Sequence, residues 1–212
     1  MWGVLKVETQ VNLVFHNNGL RSYIEVDLCE RCPRQDDKGC CGFYSPVFYA
    51  TDLVYLYHNK PDLLEEIFAI NGITVLDASV TVNQRPDGAS YRCHFHNRSG
   101  GCRLAQTLRE SICRHFVCPG IGWEKSPALQ KWRLFFEQLA DYEISLNNGA
   151  AELLQAHGLT LRDPGDRQQA IQLMDEYLAQ ATSNRPAFFD EMPTKEAAMV
   201  TCELRFGRDW TL

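Results

Sequence analysis

The sequence predicts an α+β protein: a small cysteine-rich module of short strands and helices, followed by a helical C-terminal part. Three observations predict it. Residues 4–15, VLKVETQVNLVF, alternate apolar and polar with the period of a strand, and a second such run follows Asn18-Gly19. From Ser126-Pro127 onward the spacing becomes that of an amphipathic helix. Eight of the nine cysteines fall into two groups of four: Cys29, Cys32, Cys40, Cys41, and then Cys93, Cys102, Cys113, Cys118.

The elements follow in order. In the first run Leu5, Val7, Thr9, Val11, Leu13 and Phe15 share one face, and LRSYIEVDL carries Tyr23 or Ile24, Val26 and Leu28. Asn18-Gly19 between two such runs predicts a hairpin turn, with Cys29 at the end of the second strand. Residues 33–43 are polar and contain glycine, which predicts a loop. A helix capped by Thr51 or Ser45 follows, with Leu53, Leu56 and Tyr57 on one face. Pro61 opens a second short helix, and Asn71-Gly72 ends it. ITVLDASVTV predicts a strand, Arg85-Pro86-Asp87-Gly88 a turn, and SYRCHFH a further strand before the tight NRSGG loop. Residues 104–117 predict a helix carrying Leu108, Ile112 and Phe116, stopped by Pro119-Gly120. The long helix after Ser126-Pro127 presents Leu129, Trp132, Phe136, Leu139 and Tyr142. Residues 149–157 and 164–182 predict two further helices, and the last thirty residues have no clear pattern. The expected organisation is a cysteine-cluster metal-binding module over residues 1–122, with its N-terminal hairpin. Residues 123–212 form the helical C-terminal region, packed on the same core or beside it.

The chain has 212 residues, of which 45% are hydrophobic and 23% charged. One domain is the expectation, and this length buries a core without covalent staples. No run approaches the roughly 18 apolar residues of a membrane span. The N-terminus lacks a basic segment followed by an apolar run, so a cytoplasmic location with reduced thiols is expected. The formal net charge is −6. Residues 1–84 hold 6 basic and 11 acidic residues, residues 85–118 hold 6 and 2, and residues 119–212 hold 9 and 14. An acidic chain with one short basic block does not have the footprint of a nucleic-acid binder. The arginines of that block either offset thiolate charge, meet a small anion or face solvent.

Nine cysteines in a chain of this kind favour a metal over a disulfide framework. Cys29-Glu30-Arg31-Cys32 has the two-residue spacing of a metal knuckle, which lets two thiolates face one ion. Cys40 and Cys41 are adjacent, and neighbouring side chains diverge, so one ligates while the other faces elsewhere. Cys93 ends a strand, Cys102 follows a Gly-Gly turn, and Cys113 and Cys118 bracket a helix end, all of them places that donate ligands. His94, His96 and His115 lie nearby and are expected as surface or hydrogen-bonded residues more than as ligands. Cys202 stands alone and reads as a small buried hydrophobe. A thioredoxin-like redox pair at Cys29 and Cys32 would require a helix, whereas Pro33 and a polar loop follow.

The order CERC…CC, then CHFHNRSGGCRL, then RESICRHFVC resembles the zinc- or iron-chelating domain family of YkgJ-type cysteine-cluster proteins. Cys40-Cys41 match that family's cysteine pair, Cys93, Phe95 and Cys102 its middle element, and Arg109, Cys113 and Arg114 its last. The resemblance covers roughly residues 29–118. It departs from the pattern in the seven residues between Cys32 and Cys40 and in Glu110, where the family usually has proline. It implies metal binding, and a family relation to a flagellin lysine methylase.

All-thiolate ligation suits an iron–sulfur cluster, expected first because the spacing is irregular, or zinc. The eight clustered cysteines are the expected ligands, and Arg109 and Arg114 the expected cofactor-binding residues. No nucleotide-binding glycine loop, Ser-His-Asp set or HExxH helix is present, and whether the chain is an enzyme is left open. Asp141 and Glu143 on the long helix read as a solvated face. Three functions compete: a metal-binding protein with a structural or redox-active centre, a protein-modifying or redox enzyme, and a metal-stabilised module that displays its helices to a protein partner. A pocket lined by Arg109, Arg114 and a cysteine favours the second, and an exposed face including Trp132 and Phe136 favours the third. Loss of the metal is expected to unfold the first half of the chain.

Overall fold

The first alternating run forms β1 (Val7–His16) and the second forms β2 (Tyr23–Val26), paired antiparallel with Phe15 opposite Ile24. The computed structural model describes residues 7–34, 38–97, 99–207 and 210–212. Leu5 of the expected strand, residues 35–37 of the expected loop and Arg98 of NRSGG lie outside the described residues. Val11, Leu13 and Phe15 are buried as the alternation requires, while Val7 is exposed. The hairpin is not closed tightly at Asn18-Gly19. Residues 17–22 form a longer loop with a 3-10 turn, Gly19–Arg21, because Arg21 turns inward to bond Asp52.

After β2 a 3-10 turn, Asp27–Arg31, carries Cys29, and a second, Gly39–Gly42, carries Cys40 and Cys41. β3 (Val47–Phe48) leads into α1 (Ala50–Asn59) and α2 (Pro61–Ala69). Neither Thr51 nor Ser45 caps α1. Tyr49 is the N-cap residue, its N–H donates to the Asp52 carboxylate, and the Thr51 N–H donates to Asn147 of a distant helix. ITVLDASVTV is two strands, β4 (Ile73–Val75) and β5 (Val80–Val82), folded back through a turn closed by Leu76 N–H on the Ser79 carbonyl. β6 (Arg85–Asp87) and β7 (Ser90–Arg92) form a hairpin whose turn lies at Gly88-Ala89, two residues later than expected. Cys93 follows it immediately.

The helix expected over residues 104–117 is broken. Gln106–Leu108 is a 3-10 turn, and α3 is only Ser111–His115. The break has a cause: the Arg109 carbonyl accepts from Arg21 and Arg114, which draws that peptide out of a helical ladder. Ile112 is consequently exposed. A 3-10 turn, Pro127–Leu129, precedes α4 (Gln130–His157), a rod of 28 residues and about 42 Å. Residues 149–157 are its end, not a separate helix. Gly149 sits within α4 because a Cβ there would lie 2.0 Å from the Tyr177 hydroxyl of α5 (Arg167–Ala181). The unpatterned tail contains β8 (Lys195–Leu204), which pairs with β1 over ten residues and makes the sheet order β2-β1-β8. The C-terminal part is therefore not wholly helical.

Two hydrophobic clusters fill the interior. One gathers α1, α2, α5, β3, β5 and the end of α4, and the other packs the large sheet on the beginning of α4. α4 serves both, with Trp132, Phe135, Phe136 and Leu139 in one and Leu146, Ala150 and Leu154 in the other. Each cluster draws on both sides of residue 122, so the two expected regions share their cores. Trp132 and Phe136 are buried, so the apolar face expected of an interaction module is not exposed.

Between the clusters lies a buried ionic quartet. Arg21 meets Asp52 at 2.7 Å, and Arg114 meets Glu143 directly and Asp52 at 3.8 Å. Glu143 is 1% exposed and Arg114 0%, which corrects the expectation that Glu143 faces solvent. Burial lowers the Arg21 pKa, with Arg114 adding to it, and burial raises that of Glu143. Removing one partner strands a desolvated charge. Glu143→Ala is expected to cost about 3–5 kcal/mol in urea unfolding, whereas Asp141→Ala, on the exposed side of the same helix, leaves the midpoint nearly unchanged.

Candidate metal centre

All eight clustered cysteines line one cavity of about 1000 Å3, and Cys202 does not. They reach it from five places. Cys29 and Cys32 come from the turn after β2, and Cys40 and Cys41 from the Gly39–Gly42 turn. Cys93 and Cys102 flank the loop after β7, where His96 bridges to Cys102. Cys113 is on α3, and Cys118 precedes the 3-10 turn Pro119–Ile121. Cys202 is buried on β8 within the sheet cluster, as a small hydrophobe would be.

Two glycines let the cysteine segments meet. Gly39 has φ +54°, and a Cβ there would lie 2.8 Å from Cys32 Sγ. Gly100 has φ +116°, and its Cβ would lie 2.8 Å from the Glu30 carbonyl. The Gly-Gly turn before Cys102 thus brings its backbone against the Cys29–Cys32 turn. Among the described residues, no three Cys, His, Asp or Glu side chains converge closely enough to hold a single ion. The thiols line the cavity without meeting at one point.

α3 is held from several sides. The Glu110 carboxylate accepts from the backbone N–H groups of Ile112 (2.9 Å) and Cys113 (2.8 Å), which caps the helix. Ser111 donates to Glu143, and Arg114 donates to the Ser22 carbonyl at 2.8 Å. Arg114 therefore belongs to the ionic quartet and does not line the cavity, contrary to the expected cofactor-binding role. Arg109 does line it, with its Nε anchored on the Leu104 carbonyl at 3.0 Å. His115 is packed beside Arg114, and burial drives its pKa well down; His96 bonds Arg92.

The electrostatics follow from burial and crowding. Cys29 keeps some contact with solvent, yet desolvation by the surrounding chain, with Cys118 and Cys40 adding, pushes its thiol up to about 12. Burial raises Cys118 to about 11, opposed by the Trp210 indole. That buried indole N–H lies against the Cys118 thiol and favours its thiolate. Burial raises Cys113 well above its ordinary value, and Glu110 adds to it. Burial likewise brings Glu110 to about 7. Cys41 donates to Cys40 and Cys93, so it is raised while they are lowered. Arg109 acts against the rise at Cys29 and Cys102 and favours the Cys40 thiolate.

Sequence reasoning missed Glu110, Trp210 and the wall formed by Phe206 and Leu212. Glutamate is not a favoured capping residue, and the other three lie in a tail whose position is set only when β8 pairs with β1. The Gly207 N–H then bonds the Pro33 carbonyl at 2.8 Å and ties that tail to the cysteine loop.

In metal-free, reduced protein the thiols should react in a set order. Limiting iodoacetamide at neutral pH is expected to modify Cys40 before Cys29 or Cys118, because its thiolate forms at lower pH. Peptide mapping after short labelling reads the order, and Cys29 or Cys118 reacting first would contradict this account of the electrostatics.

Comparison with known family models, curated proteins and solved structures found no match to this chain.

Proposed function

We propose that the chain is a metal-binding protein whose cysteine-lined cavity holds an iron–sulfur cluster, with zinc as the alternative. The observation that carries this reading is the cavity itself: eight cysteines from two distant groups line it, and the ninth does not. Cys29, Cys32, Cys40, Cys41, Cys93, Cys102, Cys113 and Cys118 would hold the group. A single zinc, with Zn–S bonds of about 2.3 Å, draws its four sulfurs around one point. Thiols spread around a larger space suit a cluster better, since its irons and sulfides stand between the ligands. A bound cluster supplies one-electron chemistry or a structural tie.

This chain's own residues tune the site. Arg109 brings positive charge to the thiols, Trp210 and the Leu104 N–H (3.4 Å from Cys102 Sγ) direct donors at sulfur, and Phe206 and Leu212 limit water. Each of these favours negative charge on sulfur or a drier site. The resemblance to YkgJ-type proteins supports the same reading. The presence of Arg109 in the cavity keeps a second reading, a protein-modifying or redox enzyme, in view.

Protein purified without oxygen is expected to be coloured by thiolate-to-iron charge transfer and to contain iron and acid-labile sulfide. Stoichiometric zinc in colourless protein would select the alternative, and neither metal would overturn the proposal. Cys→Ser changes at the clustered positions are expected to lower metal content severalfold, and Cys202→Ser to leave it unchanged. Arg109→Gln is expected to retain the metal and to shift its midpoint potential negative, because the reduced, more negative state loses a neighbouring cation. Because both hydrophobic clusters draw on both halves of the chain, chelation is expected to loosen the loops around the cavity and not the first half as a unit. Hydrogen exchange would rise at residues 27–42 and 93–118 and stay low in α4.

A further inference from the structure

We propose that a second copy of this chain pairs with the outer edge of β8, antiparallel and centred on Met199, joining two three-stranded sheets into one. The Asn17 N–H donates to the Thr194 carbonyl at 2.9 Å, one step beyond the facing pair His16 and Lys195. In an antiparallel ladder such hydrogen-bonded pairs recur at every second residue. Glu196, Ala198, Val200, Cys202 and Leu204 therefore turn their backbone groups to β1. Lys195, Ala197, Met199 and Thr201 turn theirs the other way, where no strand pairs with them among the described residues. Their side chains are exposed as well, Met199 by 61%.

A long edge strand of this kind is ordinarily blunted by proline, a bulge or a row of like charges. The β8 sequence KEAAMVTCEL has no proline, and its middle is uncharged. What it has is self-complementarity. Rotation by a half-turn about Met199 sets Ala197 opposite Thr201 of the second copy and Met199 opposite its twin. It also sets Lys195 opposite Glu203 at both ends. Glu203 already meets Arg205 at 3.2 Å, but it faces Glu8 of β1 across the sheet, a like-charge pair that an incoming lysine would relieve. The interface is isologous and closes on itself, so it makes a dimer and not a fibre.

Sedimentation equilibrium of the full chain over a wide concentration range tests this. A concentration-dependent dimer that weakens in high salt is expected. Lys195→Glu and Glu203→Lys should each weaken self-association about tenfold, since each places like charges opposite one another twice. The double variant K195E/E203K should restore it. Met199→Pro should give a monomer with an unchanged circular dichroism spectrum, because the N–H it removes is not part of the ladder to β1. A chain that stays monomeric near 1 mM (about the level at which weak edge pairing fails) overturns the proposal. So does a dimer that neither the single charge reversals nor Met199→Pro weakens.

Discussion

Two arginines and two carboxylates enclosed between the hydrophobic clusters fix the part of the fold on which the cavity depends. Arg21 comes from the β1–β2 loop, Asp52 from α1, Arg114 from α3 and Glu143 from α4. Such a set is not an efficient source of stability, because desolvation offsets most of the attraction. Its effect is on placement. α3 has five residues, too few to form a helix by its own propensity. It exists because Glu110 caps it and because Ser111 and Arg114 are bound to Glu143. The position of Cys113 is thus decided by Glu110 at the cavity wall and by the buried charges that hold Ser111 and Arg114.

The same enclosure makes most of the thiols reluctant to ionise. Desolvation raises Cys29, Cys113 and Cys118, and a shared hydrogen raises Cys41. A thiol raised in this way ionises more readily when positive charge lies beside it. Arg109 provides such a charge to Cys29, Cys40 and Cys102. The fold therefore accounts for where the cysteines are and also for why Cys29, Cys113 and Cys118 are poor nucleophiles while Cys40 is not.

Much of this was legible in the sequence, for reasons that can be named. The β1–β2 hairpin and the long amphipathic helix announce themselves because one face of each is buried by local pattern. The eight cysteines separate from Cys202 by clustering alone. What the sequence conceals is set by partners far along the chain. Glu143 looks like one more charge on a helix until Arg114 is placed against it. The 104–117 helix looks continuous until the Arg109 carbonyl is taken by two arginines. Gly149 looks like the start of a separate helix until Tyr177 occupies the space where a side chain would be. Arg114 resembles a ligand-binding arginine because its motif neighbours are cysteines, yet its side chain turns away from them.

The pairing of β1 with β8 has a consequence in time. The two strands lie near opposite ends of the described chain, so their ladder is among the last contacts that loop-closure entropy allows to form. The tail beyond β8, with Phe206, Trp210 and Leu212, reaches the cysteine loops only once that ladder has zipped. Until then the cavity has its thiols but lacks a wall. The cavity is in this sense completed late, and the sheet acts as the latch.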